Sequence, residues 1–220
     1  MSNKFETIRL QGNKMTPEIR FDRFKKFLND NIKDLSKFYD DSIDGLLTWL
    51  KNETDFFSSP SSCIYHGNHE GGLFTHTMNV INRGLKIYEE IEENPTDEMK
   101  DSIILTCLCH DFCKLNSYVI DTKNTKKNGQ WVSVNYLKKD YVHCLGHGEA
   151  SLFLAGKFID FTLEEAQAIR WHMSSFETGA HFWETKSNFD KALENPLLKI
   201  ILIADQWSSF FSEKIIKQDV

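Results

Sequence analysis

The chain has 220 residues, of which 40% are hydrophobic and 26% charged, values that are ordinary for a globular protein. Its net charge of −6 argues against a protein held on nucleic acid by bulk positive charge, and no apolar run approaches the ~18 residues of a membrane span. The first residues are polar, without an apolar signal segment, and the five cysteines are an odd number. We therefore expect a cytoplasmic protein with reduced thiols and no membrane partner; the sequence leaves its oligomeric state open.

The first clear element along the chain is an amphipathic helix. Residues 17–32 repeat apolar side chains at intervals of three and four, which is the helical period. Thr16 followed by Pro17 is typical of a helix N-terminus. Residues 1–15 are expected to form a loose arm, and residues 16–220 a single domain.

Three further helices are predicted before any β structure. The first covers residues 42–51 and the second runs from Leu73 to about residue 91. Thr96 is a candidate cap for the third, which continues into the apolar run 103–109. Because that run is apolar on all sides, we expect this helix at the centre of the molecule.

One β-hairpin is predicted in the second half of the chain. Residues 118–120 and 131–136 have strand character, and Asn128-Gly129 between them is a strong hairpin signal. Further helices are predicted over residues 147–158, 163–173 and 196–213. The pattern predicts an all-α bundle with one inserted β-hairpin.

The cysteines near the end of the central helix resemble a metal cluster only at first sight. Cys107 and Cys109 point roughly 200° apart on a helix and cannot share one ion. We therefore predict that these two and Cys113 are small residues of the core.

Polar residues interrupt the apolar pattern at three places. His76 lies on an apolar helix face, His110-Asp111 ends the most apolar helix, and Asp205 directly follows the apolar run 200–204. A buried carboxylate needs a cation, a metal or several hydrogen-bond donors, and Asp205 has no Lys or Arg one turn away. In one interpretation, each of these residues is satisfied separately by hydrogen bonds. In the other, all of them bind one divalent metal, and the occurrence of all of them in one chain favours this second interpretation.

The motifs around these residues resemble those of the HD-domain metal-dependent phosphohydrolases. GGLFTHT at 71–77 and CHDFCKL at 109–115 precede a distant Asp205, in the order His, His-Asp, Asp. The match covers about residues 60–213 and looks closest to the three-prime exoribonuclease branch, without its OB-fold. The resemblance implies an HD-domain helical bundle with these metal ligands: His76, His110, Asp111 and Asp205.

The same resemblance implies a second metal position, and Lys114 is a candidate catalytic residue beside it. His147 and His172 follow in the order of the binuclear members, in which Asp111 would bridge two ions. Lys114, three residues after Asp111, either acts beside Asp111 in catalysis and meets a phosphate oxygen as a point charge, or is a surface lysine. Cys113 stands where the family usually has a small glycine. Mixed His and Asp ligands are compatible with Mn, Fe, Ni, Co, Zn or Mg.

Besides Lys114, two residues are candidates for substrate binding. His66 precedes the Gly-Gly turn, at a place where similar sequences bring a histidine to the active site. Arg170, beside His172, either binds a phosphate or lies on an exposed helix face.

The predicted function is hydrolysis of phosphoesters in nucleotides or short oligonucleotides by a metal-activated water. One alternative is a single-strand-specific exonuclease, which the basic hairpin favours and the net charge of −6 disfavours. The other is a non-catalytic nucleotide-sensing module, which would have no chemical need for the complete ligand set. The lysines that make the hairpin region basic are Lys123, Lys126, Lys127, Lys138 and Lys139.

Overall fold

The computed structural model describes residues 15–140, 144–174 and 182–213. Within these ranges the fold is mostly helical, with eight α-helices and one two-stranded antiparallel hairpin, which confirms the mostly helical prediction. The predicted N-terminal arm, apart from Met15, lies outside the described residues. None of the described helices combines the length and the apolar character needed to cross a membrane.

The helices and strands follow one another along the chain, with the hairpin between the fourth and fifth helices. Their bounds are α1 (Pro17–Asn31), α2 (Asp44–Asn52), α3 (Gly72–Ile91), α4 (Asp97–Cys109), β1 (Tyr118–Lys127), β2 (Gln130–Lys139), α5 (His147–Ala155), α6 (Leu163–Trp171), α7 (Phe182–Ala192) and α8 (Pro196–Trp207). α8 continues into a π-helical turn, Ser208–Ser212. The sequence analysis did not predict α7.

Three predicted helix N-termini are confirmed by their capping hydrogen bonds. The hydroxyl groups of Thr16 and Thr96 each accept a backbone N–H from the first turn of α1 and α4. Thr162 and Glu165 form the complete reciprocal capping box at the start of α6. These local bonds explain why the helices begin where the sequence predicts.

The core forms where α3 crosses α4 and α8. A Cβ atom on Gly84 of α3 would lie 3.0 Å from Ile103 Cγ2, 3.3 Å from Cys107 Sγ and 3.5 Å from Ile200 Cγ2, so the absence of a side chain brings the three helices together. Cys107 and Cys109 are fully buried here, as predicted for core residues. His76 and Asp205 lie on two of these helices, and His110 directly follows the third.

The predicted hairpin is present, with longer strands than expected. Asn128 and Gly129 have φ of 50° and 84°, so both occupy the left-handed region that a tight two-residue hairpin turn requires. None of the strand residues is buried, so the hairpin projects from the helical body. At its base the Tyr118 hydroxyl donates to the Ser61 carbonyl oxygen at 3.0 Å.

The Gly-Gly pair sets the start of α3. Gly71 has φ of 71°, and a Cβ on it would lie 2.3 Å from the buried Arg20 guanidinium. A Cβ on Gly72 would lie 1.8 Å from the Gly67 carbonyl oxygen. Only glycine fits at both positions, and the tight turn places His76 in the second turn of α3.

Candidate metal centre

The structure brings together the four residues that were predicted to be metal ligands. His76 comes from α3, His110 and Asp111 from the end of α4, and Asp205 from the last turn of α8. His76, His110 and Asp111 are at most 2% exposed, and the Asp205 side chain is 17% exposed. Helices that are distant along the chain thus place two imidazoles and two carboxylates in one small volume.

The donor atoms of these residues are closely spaced. His76 Nε2 lies 3.2 Å from His110 Nε2, 3.4 Å from Asp111 Oδ2 and 3.2 Å from Asp205 Oδ1. His110 Nε2 lies 3.4 Å from Asp111 Oδ2. Atoms that bind a common ion at about 2.0–2.3 Å in neighbouring positions are themselves about 3 Å apart. The donors of His76, His110 and Asp205, all within 4.8 Å of one another, therefore have a spacing that suits one divalent cation, and Asp111 Oδ2 lies 3.4 Å from both histidines.

A second pair of histidines faces the other oxygen of Asp111. His147 Nε2 lies 2.7 Å from Asp111 Oδ1, and His172 Nε2 lies 4.0 Å from the same oxygen. The two imidazole rings are 5.1 Å apart between centroids. His172 Nε2 is buried and has no hydrogen-bond partner within the described structure. Asp111 thus stands between two pairs of imidazole nitrogens.

Backbone carbonyl groups select the histidine tautomers. His110 Nδ1 lies 2.7 Å from the Cys107 carbonyl oxygen, and His172 Nδ1 lies 2.7 Å from the Ile169 carbonyl oxygen. A carbonyl oxygen only accepts, so each Nδ1 carries the proton and donates it. Each Nε2 then directs a lone pair into the cluster, which is the state that metal binding requires.

Glu213 belongs to this site, although the sequence analysis did not identify it. Its Oε1 accepts a hydrogen bond from His76 Nδ1 at 2.9 Å and lies 3.4 Å from Asn79 Nδ2. Its side chain is only 3% exposed, and its buried Oε2 has no partner within the described residues. Glu213 follows the π-helical turn and belongs to no recognisable sequence motif. Its position at the site depends on how that turn packs against α3, which the sequence does not reveal.

Lys114 provides the positive charge nearest to Asp111. Its Nζ donates to Asp111 Oδ2 at 2.7 Å. Burial raises the pKa of the Asp111 carboxyl, but Lys114 and His110 outweigh this effect and hold that pKa well below its usual range. Burial, together with His110 and His147, lowers the pKa of His172 to about 3, so that imidazole stays neutral.

The other two residues predicted to bind substrate, His66 and Arg170, have different surroundings. The half-buried His66 ring lies 5.1 Å from the His76 ring, and its Nε2 is 3.3 Å from Ser209 Oγ. Arg170 Nε instead lies 2.5 Å from Glu149 Oε1. The structure therefore brings His66 to the cluster and pairs Arg170 with a carboxylate, so phosphate binding by Arg170 stays a prediction.

Cys113 is buried, as predicted, but it also lies beside the donor cluster. Its Sγ, a carboxylate oxygen of Asp111 and a ring nitrogen of His147 all lie within 4.8 Å of one another. Burial raises the pKa of the Cys113 thiol to about 12, and the charge on Asp111 acts in the same direction.

Comparison with protein-family models, with curated proteins and with solved structures finds no match to this chain. The assignment of the site depends on its geometry. Buried His, Asp and Cys side chains lie at distances from one another that can accommodate a metal ion.

Proposed function

We propose that this protein is a metal-dependent phosphohydrolase of the HD-domain type that acts on phosphoesters of nucleotides or very short oligonucleotides. The observation that carries the proposal is the position of Asp111 between two pairs of imidazole nitrogens. His76, His110, Asp111 and Asp205 would hold one ion, and His147 and His172 a second one on the other side of Asp111. Bound divalent ions would lower the pKa of a water molecule and polarise the phosphoryl group.

The residues at the edge of the cluster indicate where a substrate enters. The side chains of Asp205, Lys114 and His147 are 17%, 14% and 10% exposed, whereas the other ligand candidates are nearly inaccessible. The Lys114 side chain is one of these partly exposed groups, and its Nζ can meet a phosphate oxygen while it donates to Asp111 Oδ2. His66 and Ser209 lie beside the same cluster and can hydrogen-bond a leaving group.

The experiment that tests the proposal combines metal analysis with a phosphoester screen. Purified protein is expected to contain or bind divalent metal and to hydrolyse nucleotide phosphoesters when Mn, Mg, Ni or Co is added. The Asp111→Ala variant should lose both metal and activity while keeping its helical circular dichroism. Asp22→Ala, on the exposed side of α1, is the matched control and should behave like the wild type.

Each contrary outcome has a distinct meaning. Failure to bind any divalent metal would show that the proposed centre is wrong. Binding of metal and nucleotide without turnover of any phosphoester would instead indicate a sensing module. Either result would remove the hydrolase assignment.

The hairpin favours the second candidate function, a single-strand exonuclease. Lys123, Lys126 and Lys127 are exposed near its tip, and Trp131 is 72% exposed beside them. A cationic arm with an aromatic side chain is typical of surfaces that bind single strands. The net charge of −6 nevertheless favours a small substrate.

Replacing the three tip lysines with serine separates the two functions. For a small-nucleotide enzyme, turnover of a mononucleotide should change by less than about tenfold, because these side chains project away from the helical body. The comparison is the rate on a long single strand at low and high salt. Selective loss of a much faster polymer activity in the triple variant would establish the exonuclease instead.

A further inference from the structure

The side of Asp111 that faces His147 includes a sulfur donor. Cys113 Sγ, an Asp111 carboxylate oxygen and a His147 ring nitrogen lie within 4.8 Å of one another, and Cys113 is 7% exposed. Within the described ranges, no other cysteine groups with His and Asp donors in this way. The position of Cys113 therefore differs from those of Cys107 and Cys109, which lie in the core of α4.

A second observation points to a ligand at the same place. The His172 side chain has no exposed surface, and its Nε2, 4.0 Å from Asp111 Oδ1, lacks a hydrogen-bond partner in the described part of the chain. Leaving a buried polar nitrogen unsatisfied costs free energy unless something else binds it. Asp111 Oδ1 thus has the His172 nitrogen at 4.0 Å, and Asp111 also belongs to the group that contains His147 and Cys113.

We infer that Cys113 is a thiolate ligand of the second metal position and makes that position selective for thiophilic divalent ions such as Zn²⁺, Co²⁺ or Fe²⁺. The inference rests on the proposed metal centre and assigns it a property that His and Asp ligands alone do not provide. Zinc takes nitrogen, oxygen and sulfur ligands from His, Asp and Cys side chains, the three donor types that meet at Asp111, Cys113 and His147. On binding, the ion replaces the thiol proton, which passes to the buffer.

Titration of the metal-free, reduced protein with Co²⁺ under argon tests this inference. Weak visible d–d bands report cobalt bound through any ligand, whereas an intense near-ultraviolet charge-transfer band reports a cobalt–thiolate bond. We expect the charge-transfer band in the wild type and in Cys144→Ser, which changes an exposed cysteine. Cys113→Ser should lose that band. Its affinity for Zn²⁺ at this position should fall by at least roughly 10–100-fold, which is the usual effect of losing a residue that only supports a metal ligand. Its affinity for Mn²⁺ should change less.

A measurement on the wild type keeps the test independent of whether the variant folds. X-ray absorption of the zinc-loaded protein should show a sulfur scatterer at about 2.3 Å. Bound metal with no sulfur scatterer and no charge-transfer band would overturn the role of Cys113 and leave the proposed hydrolase centre intact. Absence of any bound metal would overturn both.

Discussion

The histidines of the candidate metal centre differ in the group that binds their second ring nitrogen. His110 and His172 donate from Nδ1 to backbone carbonyl groups, whereas His76 donates to the carboxylate of Glu213 at 2.9 Å. A carboxylate partner fixes the tautomer as a carbonyl does and also makes Nε2 a stronger electron donor. Because the Glu213 side chain is 3% exposed, water cannot easily take its place. Glu213 thus acts as a positioning residue for His76.

Removing this carboxylate is expected to weaken metal binding without changing the fold. Glu213→Ala should lower the affinity for Mn²⁺ or Zn²⁺ by roughly 10–100-fold, and Glu213→Gln should lower it less, because its amide oxygen still accepts from Nδ1. Isothermal titration calorimetry measures both effects. Glu90→Ala, on an exposed position of α3, is the control. Equal affinities for Glu213→Ala and wild type would show that His76 needs no such partner.

At the scale of the elements, glycines decide how closely the site-bearing helices approach. Gly148, the second residue of α5, packs against α6 so tightly that a Cβ would lie 2.2 Å from the Arg170 carbonyl oxygen. This contact joins the start of α5, which carries His147, to the end of α6, which leads to His172. The spacing of the two imidazoles therefore follows from the packing of α5 on α6.

Adding one methyl group at this contact should destabilise the protein. Gly148→Ala is expected to lower the free energy of unfolding by about 1–3 kcal/mol or more, because backbone atoms must move. Gly45→Ala is the matched control, since its Cβ would have only Phe158 Cδ1 at 3.9 Å. Alanine is also preferred over glycine within a helix such as α2 by up to ~1 kcal/mol. Urea unfolding measures both variants, and equal stability would contradict the close α5–α6 contact.

At the scale of the whole molecule, the candidate centre connects five helices. Its His and Asp donors lie on α3 and α8, at the start of α5 and at the ends of α4 and α6. An ion bound there would bridge parts of the chain up to 129 positions apart, from His76 to Asp205. The unfolded chain cannot hold these groups together, so metal binding should favour the folded state.

Metal should therefore stabilise the protein by mass action. With free metal at about 100 times its dissociation constant, the free energy of unfolding should rise by about 2.7 kcal/mol for one site. Chemical denaturation with and without metal measures the increase, and a chelator should reverse it. The Asp111→Ala variant should show no increase. The same increase in both proteins would place the bound metal elsewhere.

Local signals in the sequence were sufficient for much of the fold. The 3.6-residue apolar period, the threonine caps and the Asn128-Gly129 turn predicted seven of the eight helices and the hairpin that the structure describes. They succeeded because each depends on neighbours within about one turn of the chain. Polar residues at apolar positions, such as His76 and Asp205, likewise predicted where the candidate site lies.

The tertiary structure alone decided which groups complete that site. His76 and Glu213 are 137 positions apart, and no local pattern links them. Cys113 was expected only in the core, yet packing of α5 also places it beside His147. Arg170 carries the charge expected of a phosphate ligand, but the neighbouring helix pairs it with Glu149. Side-chain partners between distant segments depend on how helices pack, and periodicity along one helix contains no information about that packing.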